Sequence, residues 1–80
     1  MPKLKNLSGE DIIKIFSSFD FHIVAQRDSH IKLKRTSRNS KQILTIPKHK
    51  KLDKGTLKAI YNQALKYIPE TDLHPYFYSR

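Results

Sequence analysis

His30 stands in a run of cations: Arg27, Lys32, Lys34 and Arg35 flank it, and Asp28 is the lone acid of that run. An imidazole with its ordinary pKa of about 6.5 can take or give a proton at neutral pH. Ammonium and guanidinium groups beside it would hold a phosphate and stabilise charge that grows on the phosphoryl oxygens. The combination suits proton transfer on a phosphodiester. In RNA, a base removes the 2′-hydroxyl proton, the oxygen attacks the adjacent phosphorus, and an acid protonates the leaving 5′-oxygen. A metal-dependent nuclease would instead gather several carboxylates around Mg²⁺. Only Asp28 and Asp53 lie in the segment from Arg27 to Lys58, so neither a metal nor another cofactor is expected. Spacing alone leaves a solvated strand histidine without any chemical role as an equal reading.

The other histidines are placed differently. His22 has no basic neighbours and His74 sits in an aromatic tail, so both read as structural or surface residues. His49, in "IPKHKK", is open to three readings: a second proton-transfer group, a contact to RNA, or a helix-entry residue bonding local backbone. Ser29 has no acyl-transfer partners and reads as a turn or phosphate-contact residue. Gly55 would let a phosphate approach a helix start or would serve close packing. Tyr61 and the tail aromatics read as core more readily than as base-stacking groups.

The net charge is +9, and its location matters more than its size. From Arg27 to Lys58 there are eleven basic residues against two acids, whereas the rest of the chain balances five against five. Segregated charge of this kind points to a polyanion, because each neutralised phosphate releases condensed counterions. Arg27, Ser29, Lys32, Lys34, Arg35, Lys48, Lys50, Lys54 and Lys58 are the candidate contacts to RNA. A solubilising surface is the plainer alternative, though it would normally mix its signs.

Simple elements would position these groups. In "LSGEDIIKIFSSF", Ser8 caps a helix, Asp11 reaches back as a capping-box acid and Leu7 staples onto Ile12. Ile12, Phe16 and Phe19 repeat at helical spacing, and Asp20 ends the run. A strand is expected from Phe21 to about Arg27. "HIKLKR" alternates, with Ile31 and Leu33 on one face and His30, Lys32 and Lys34 on the other. Thr36 to Lys41 reads as a polar loop, and Gln42 to Ile46 as a third strand stopped by Pro47. Asp53 caps a second helix whose buried stripe is Leu57, Ile60, Tyr61, Ala64 and Ile68, with Lys54, Lys58 and Asn62 exposed. Pro69 breaks it. A short helical turn then follows, with Tyr76, Phe77 and Tyr78 folding back on the core. The expected fold class is α+β: helix, three antiparallel strands, helix, with both helices on one face of the sheet and the other face open.

Eighty residues are expected to form a single domain, residues 1–80, in which a chain of this size buries only about 60 to 65% of its unfolded surface. With no cysteine, apolar packing alone must hold it. No apolar run approaches the ~18 residues that span a bilayer, and the lysines of the N-terminus are not followed by an apolar stretch. A cytoplasmic protein without membrane contact is expected.

The segments "MPKLKNLSGEDIIKIF", "DSHIKLKR", "LTIPKHKKLDKGTLKAI" and "NQA" follow one another as in the HicA family of messenger-RNA-cleaving toxins, also called YcfA-like proteins. The chain resembles that family over nearly its whole length, the last dozen residues least. The resemblance implies a fold like the double-stranded-RNA-binding domain and metal-independent ribonuclease activity on mRNA that arrests translation. It also implies neutralisation by a HicB-type antitoxin. It assigns His30 as the catalytic histidine, Ser29 as the serine before it and His49 as the second histidine of an "IPxH" segment. One position departs: the family commonly has glycine before Ser-His, where this chain has Asp28. Aspartate tolerates a left-handed backbone better than most residues, but its charge would repel a phosphate. Rival classes are an inactive relative, an RNA-binding module without catalysis and an interaction subunit whose basic face meets an acidic protein.

Overall fold

Consecutive antiparallel hairpins build the sheet on which the rest of the chain folds. In the computed structural model, which describes residues 2–79, the elements are β1 (Lys3–Leu4), α1 (Gly9–Ser17), β2 (His22–Arg27), β3 (His30–Ser37), β4 (Ser40–Pro47), α2 (Lys54–Ala64), α3 (Glu70–Phe77) and β5 (Tyr78–Ser79). The main sheet has the order β2-β3-β4, and β1 pairs with β5 in a separate two-stranded ribbon. This is the expected α+β order with a third helix and a ribbon added.

The first helix starts as its sequence dictates. Ser8 Oγ accepts the Asp11 N–H at 3.1 Å, and the Asp11 carboxylate accepts the Ser8 N–H at 3.0 Å. It ends on Asp20, which takes a φ of 71°. The Phe21 N–H then donates to the Phe16 carbonyl at 3.1 Å and the Asp20 N–H to that of Ser17 at 3.1 Å, which is a Schellman closure. Its hydrophobic contact is the pair Phe16–Phe21, with ring centroids 5.9 Å apart. At α2 the Asp53 carboxylate caps the Thr56 N–H at 2.7 Å.

Strand alternation sends Ile31 and Leu33 of β3, and Leu44 and Ile46 of β4, to one side, where Ile12 and Phe16 of α1 and Leu57, Ile60, Tyr61 and Ala64 of α2 bury them. Both main helices therefore cover the same face, as expected from their amphipathic stripes. Burial, and then the Glu70 carboxylate that accepts its hydroxyl at 3.0 Å, push the Tyr61 phenol up to about 12.

Two expectations need correction. Thr36 to Lys41 is not a loop: pairing continues to Ser37↔Ser40, and only Arg38 and Asn39 turn, with φ of 46° and 68°. Positive φ at both central residues closes a tight type I′ hairpin, and polar side chains do not prevent pairing where the hairpin faces water. The chain after Pro69 is a full helix of eight residues, with Pro75 inside it and Tyr78 leading into β5. Pro75 has no N–H to offer the Thr71 carbonyl, so the helix forgoes that bond and ends two residues later. Phe77 is buried as expected, but Tyr76 is 42% exposed, its ring in a T-shaped pair with that of Phe19. The Lys5 N–H donates to the Phe77 carbonyl at 2.8 Å, binding the two ends of the chain together. Among the described residues no helix is long and apolar enough to cross a membrane.

Candidate functional site

The face of the sheet opposite the helices carries the charged residues. His30 pairs with Arg27 on β2 and Pro47 on β4, while Lys32 pairs with Ala25 and Thr45. Cross-strand partners share a face, so these residues converge. Ala25, Arg27, His30, Lys32 and Thr45 line a shallow depression of about 190 Å³, with the imidazole exposed. Ala25 and Thr45 were not singled out in the sequence. Both follow from the register opposite Lys32, which no single strand reveals.

Two backbone ties hold the depression's end. The β2–β3 hairpin turns through Asp28 and Ser29 alone, and Asp28 takes a φ of 55°, the left-handed conformation it was expected to tolerate. The Ser29 carbonyl accepts the Lys48 N–H at 2.6 Å, which binds the hairpin tip to the segment after β4. That segment is in turn held by α1, where the Gly9 N–H donates to the His49 carbonyl at 2.8 Å. Gly9 is required here. A Cβ on it would collide with the Pro47 carbonyl oxygen and come within 2.8 Å of the Lys48 Cα. The glycine after a helix cap carried no signal of this in the sequence, because the neighbour it accommodates is almost forty residues away.

His49 is not in the His30 depression. It lines a separate hollow of about 450 Å³ with Ser8, Glu10, Lys48 and Lys50, at the start of α1. Lys34 is half-buried further along β3, beside His22 and Val24 in a third hollow of about 470 Å³. Lys54 and Lys58 are exposed on α2, the helix layer, and line none of these hollows. Among the described residues no three His, Asp or Glu side chains gather as metal ligands.

Arg35 is engaged differently from Lys32 and Lys34. Its Nε donates to Gln42 Oε1 at 2.7 Å, one terminal nitrogen to the Phe19 carbonyl at 3.0 Å and the other to that of Tyr67 at 2.9 Å. The guanidinium lies 4.9 Å from the Phe21 ring centroid. It thus joins β3 and β4 to the ends of both main helices, on the covered side of the sheet. These bonds occupy its guanidinium, although Arg35 also borders the hollow lined by His22 and Lys34.

Fold and site together define a small basic α+β domain with an uncovered sheet face and a histidine among cations. A family model described as the HicA toxin of bacterial toxin-antitoxin systems matches residues 9–65, which run from the first residue of α1 to just beyond α2. The chain belongs to that family. No curated protein and no solved structure matched it. Toxins of such systems act opposite an antitoxin, so membership implies an antitoxin partner for this chain.

Proposed function

We propose that this toxin is a metal-independent endoribonuclease that cleaves mRNA in the cytoplasm and arrests translation, and that a HicB-type antitoxin silences it. The observation carrying this reading is the exposed His30 imidazole flanked by Arg27 and Lys32 in a depression of the uncovered face. Arg27 and Lys32 hold the phosphate, and His30 transfers the proton as the 2′-oxygen bonds to phosphorus and the bond from phosphorus to the 5′-oxygen breaks. The products are a 2′,3′-cyclic phosphate and a 5′-hydroxyl. Ser29, Lys48, Lys50 and His49 contact the strand beyond the cleaved bond, Lys34 contacts it on the other side, and Lys54 and Lys58 add diffuse attraction. The helix, three-strand, helix order is also that of the double-stranded-RNA-binding domain, which supports RNA as the ligand.

Cleavage of an mRNA in excess chelator tests the assignment. His30→Ala is expected to lower the rate at least about 100-fold, the usual contribution of general acid–base catalysis, while RNA affinity stays within a few fold. Cleavage by His30→Ala at the wild-type rate would refute it. His49→Ala is expected to weaken RNA binding and leave the turnover rate largely unchanged. Asp28 favours a second reading, a binding module without catalysis, because its carboxylate stands two residues from the imidazole where a phosphate must approach. Should only Asp28→Gly cut RNA, the natural chain is that second protein.

A further inference from the structure

The two edges of the main sheet are unlike. Strand β4 has Leu44 and Ile46 buried under both helices and ends at Pro47, which has no N–H to offer a neighbour. Strand β2 is exposed along all six of its residues. Adjacent on it stand two aliphatic side chains, Ile23 at 56% and Val24 at 53% exposure. The register shift between Ile23 and Ala25 makes Val24 the extra residue of a bulge. Ile23 is opposite Leu33 and turns toward the helix layer, where it lines a groove of about 280 Å³ with Glu10, Ile13, Lys14 and Lys48. Val24 lines a hollow at the strand's other side with His22, Lys34, Arg35 and Thr36, and with Asp20 as its one acid. A free strand edge is thereby bordered by apolar side chains on both of its faces. Natural proteins protect such an edge with charge, a bulge or a cover; here the bulge at Val24 leaves both aliphatic side chains exposed.

We propose that the β2 edge is the docking site of the antitoxin, which adds to it an extended segment bearing apolar side chains flanked by carboxylates. Main-chain pairing supplies affinity in this mode, and pockets for alternate side chains supply specificity. The Ile13–Ile23 groove takes one apolar side chain and the Val24 hollow its neighbour of opposite face. Carboxylates meet Lys14 and Lys48 along the groove, where the two cations outnumber Glu10, and Lys34 and Arg35 at the hollow, where they outnumber Asp20, within a chain of net charge +9. The same charge opposes pairing of two copies of this chain along β2. Position gives the edge its consequence. Ala25 and Arg27 of β2 form one wall of the His30 depression, so a segment seated on β2 reaches its mouth within a residue or two. The inference rests on the antitoxin being the partner of this chain and is independent of how RNA is cleaved.

The test is titration of the toxin with its purified full-length antitoxin, using His30→Ala as the parent chain to avoid toxicity. Ile23→Lys in that parent is expected to weaken the complex at least tenfold while the melting temperature of the free toxin stays unchanged and its RNA affinity does not fall. The added lysine would strengthen attraction to an acidic partner, so a loss isolates the apolar contact. Tyr76→Lys, at an exposed aromatic on α3, serves as control and is expected to bind as the parent does. Amide hydrogen exchange in the complex is expected to slow along His22–Arg27. Parent-like affinity of Ile23→Lys together with unchanged exchange in β2 would overturn the proposal. A shift from dimer to monomer on Ile23→Lys, without loss of antitoxin affinity, would overturn it in favour of self-pairing. No binding to the parent chain would overturn the partnership itself.

Discussion

Neighbouring cations on one strand can have opposite fates. Lys34 belongs to the exposed parity of β3 with His30 and Lys32, whereas Arg35 shares the parity of Ile31 and Leu33 and points under the helices. Three hydrogen bonds and the Phe21 ring hold its guanidinium there. A hydrogen bond to a charged group contributes about 1.5 to 3 kcal/mol, and such bonds sharing one half-buried group do not add. Arg35→Ala is therefore expected to destabilise the fold by about 2 to 4 kcal/mol, chiefly by leaving the Phe19 and Tyr67 carbonyls without their partner. Chemical denaturation checks this. Arg35→Lys is expected to recover little, because an ammonium cannot reproduce the planar fork. At a temperature where the variant remains folded, its RNA affinity should match wild type. The parity rule that separated His30 from Ile31, carried two residues past Leu33, places Arg35 on the inner face. Its charge suggested the reverse, and the partners that satisfy it come from segments distant in sequence.

Elements whose signals lie within one turn or one strand were legible: both helix caps, the three strands, and the buried stripe of α2. What was not legible depends on pairing between distant segments. Strands β1 and β5 have two residues each, too few for any periodicity, and exist because Lys3 and Leu4 meet Ser79 and Tyr78. The caps also carry a pH dependence. The Ser8 amide and then its hydroxyl hold the Asp11 carboxyl below its ordinary 3.8, and the Thr56 hydroxyl and amide do the same for Asp53. A carboxyl whose pKa is lower folded than unfolded contributes stability that is complete above the unfolded value and is lost as pH falls through the folded one. Thermal melts from pH 6 downward are thus expected to hold steady until about pH 4 and then fall. Asn caps a helix about as well as Asp but does not titrate. Asp53→Asn should accordingly melt near wild type at pH 6 and lose less below pH 4. An acid limb as steep as wild type would show that Asp53 takes no part in it.

Across the whole molecule, the fold sorts a single basic segment into three groups. Arg27, His30 and Lys32 reach the uncovered face, Lys48 and Lys50 border the hollow at the start of α1, and Lys54 and Lys58 stand on the helix layer. The sequence showed the excess of charge but not this partition, which needs the sheet's register and the backbone tie from Lys48 to Ser29. Salt dependence distinguishes cations that touch RNA from charge that only attracts it. A contact to a phosphate of single-stranded RNA contributes about 0.7 to the slope of log affinity against log salt, through the counterions it releases. Lys32→Ala and Lys48→Ala are each expected to flatten that slope by about 0.7. Lys66→Ala, exposed beyond the end of α2, should lower affinity slightly at low salt and leave the slope as it was, since a distant charge attracts without displacing a condensed ion. Filter binding of a chelated, uncleaved RNA to the His30→Ala chain between 50 and about 300 mM salt gives the slopes directly. Equal slopes for Lys32→Ala and Lys66→Ala would mean that RNA does not follow the His30 face, and the placement of the scissile phosphate beside Arg27 and Lys32 would fall with it.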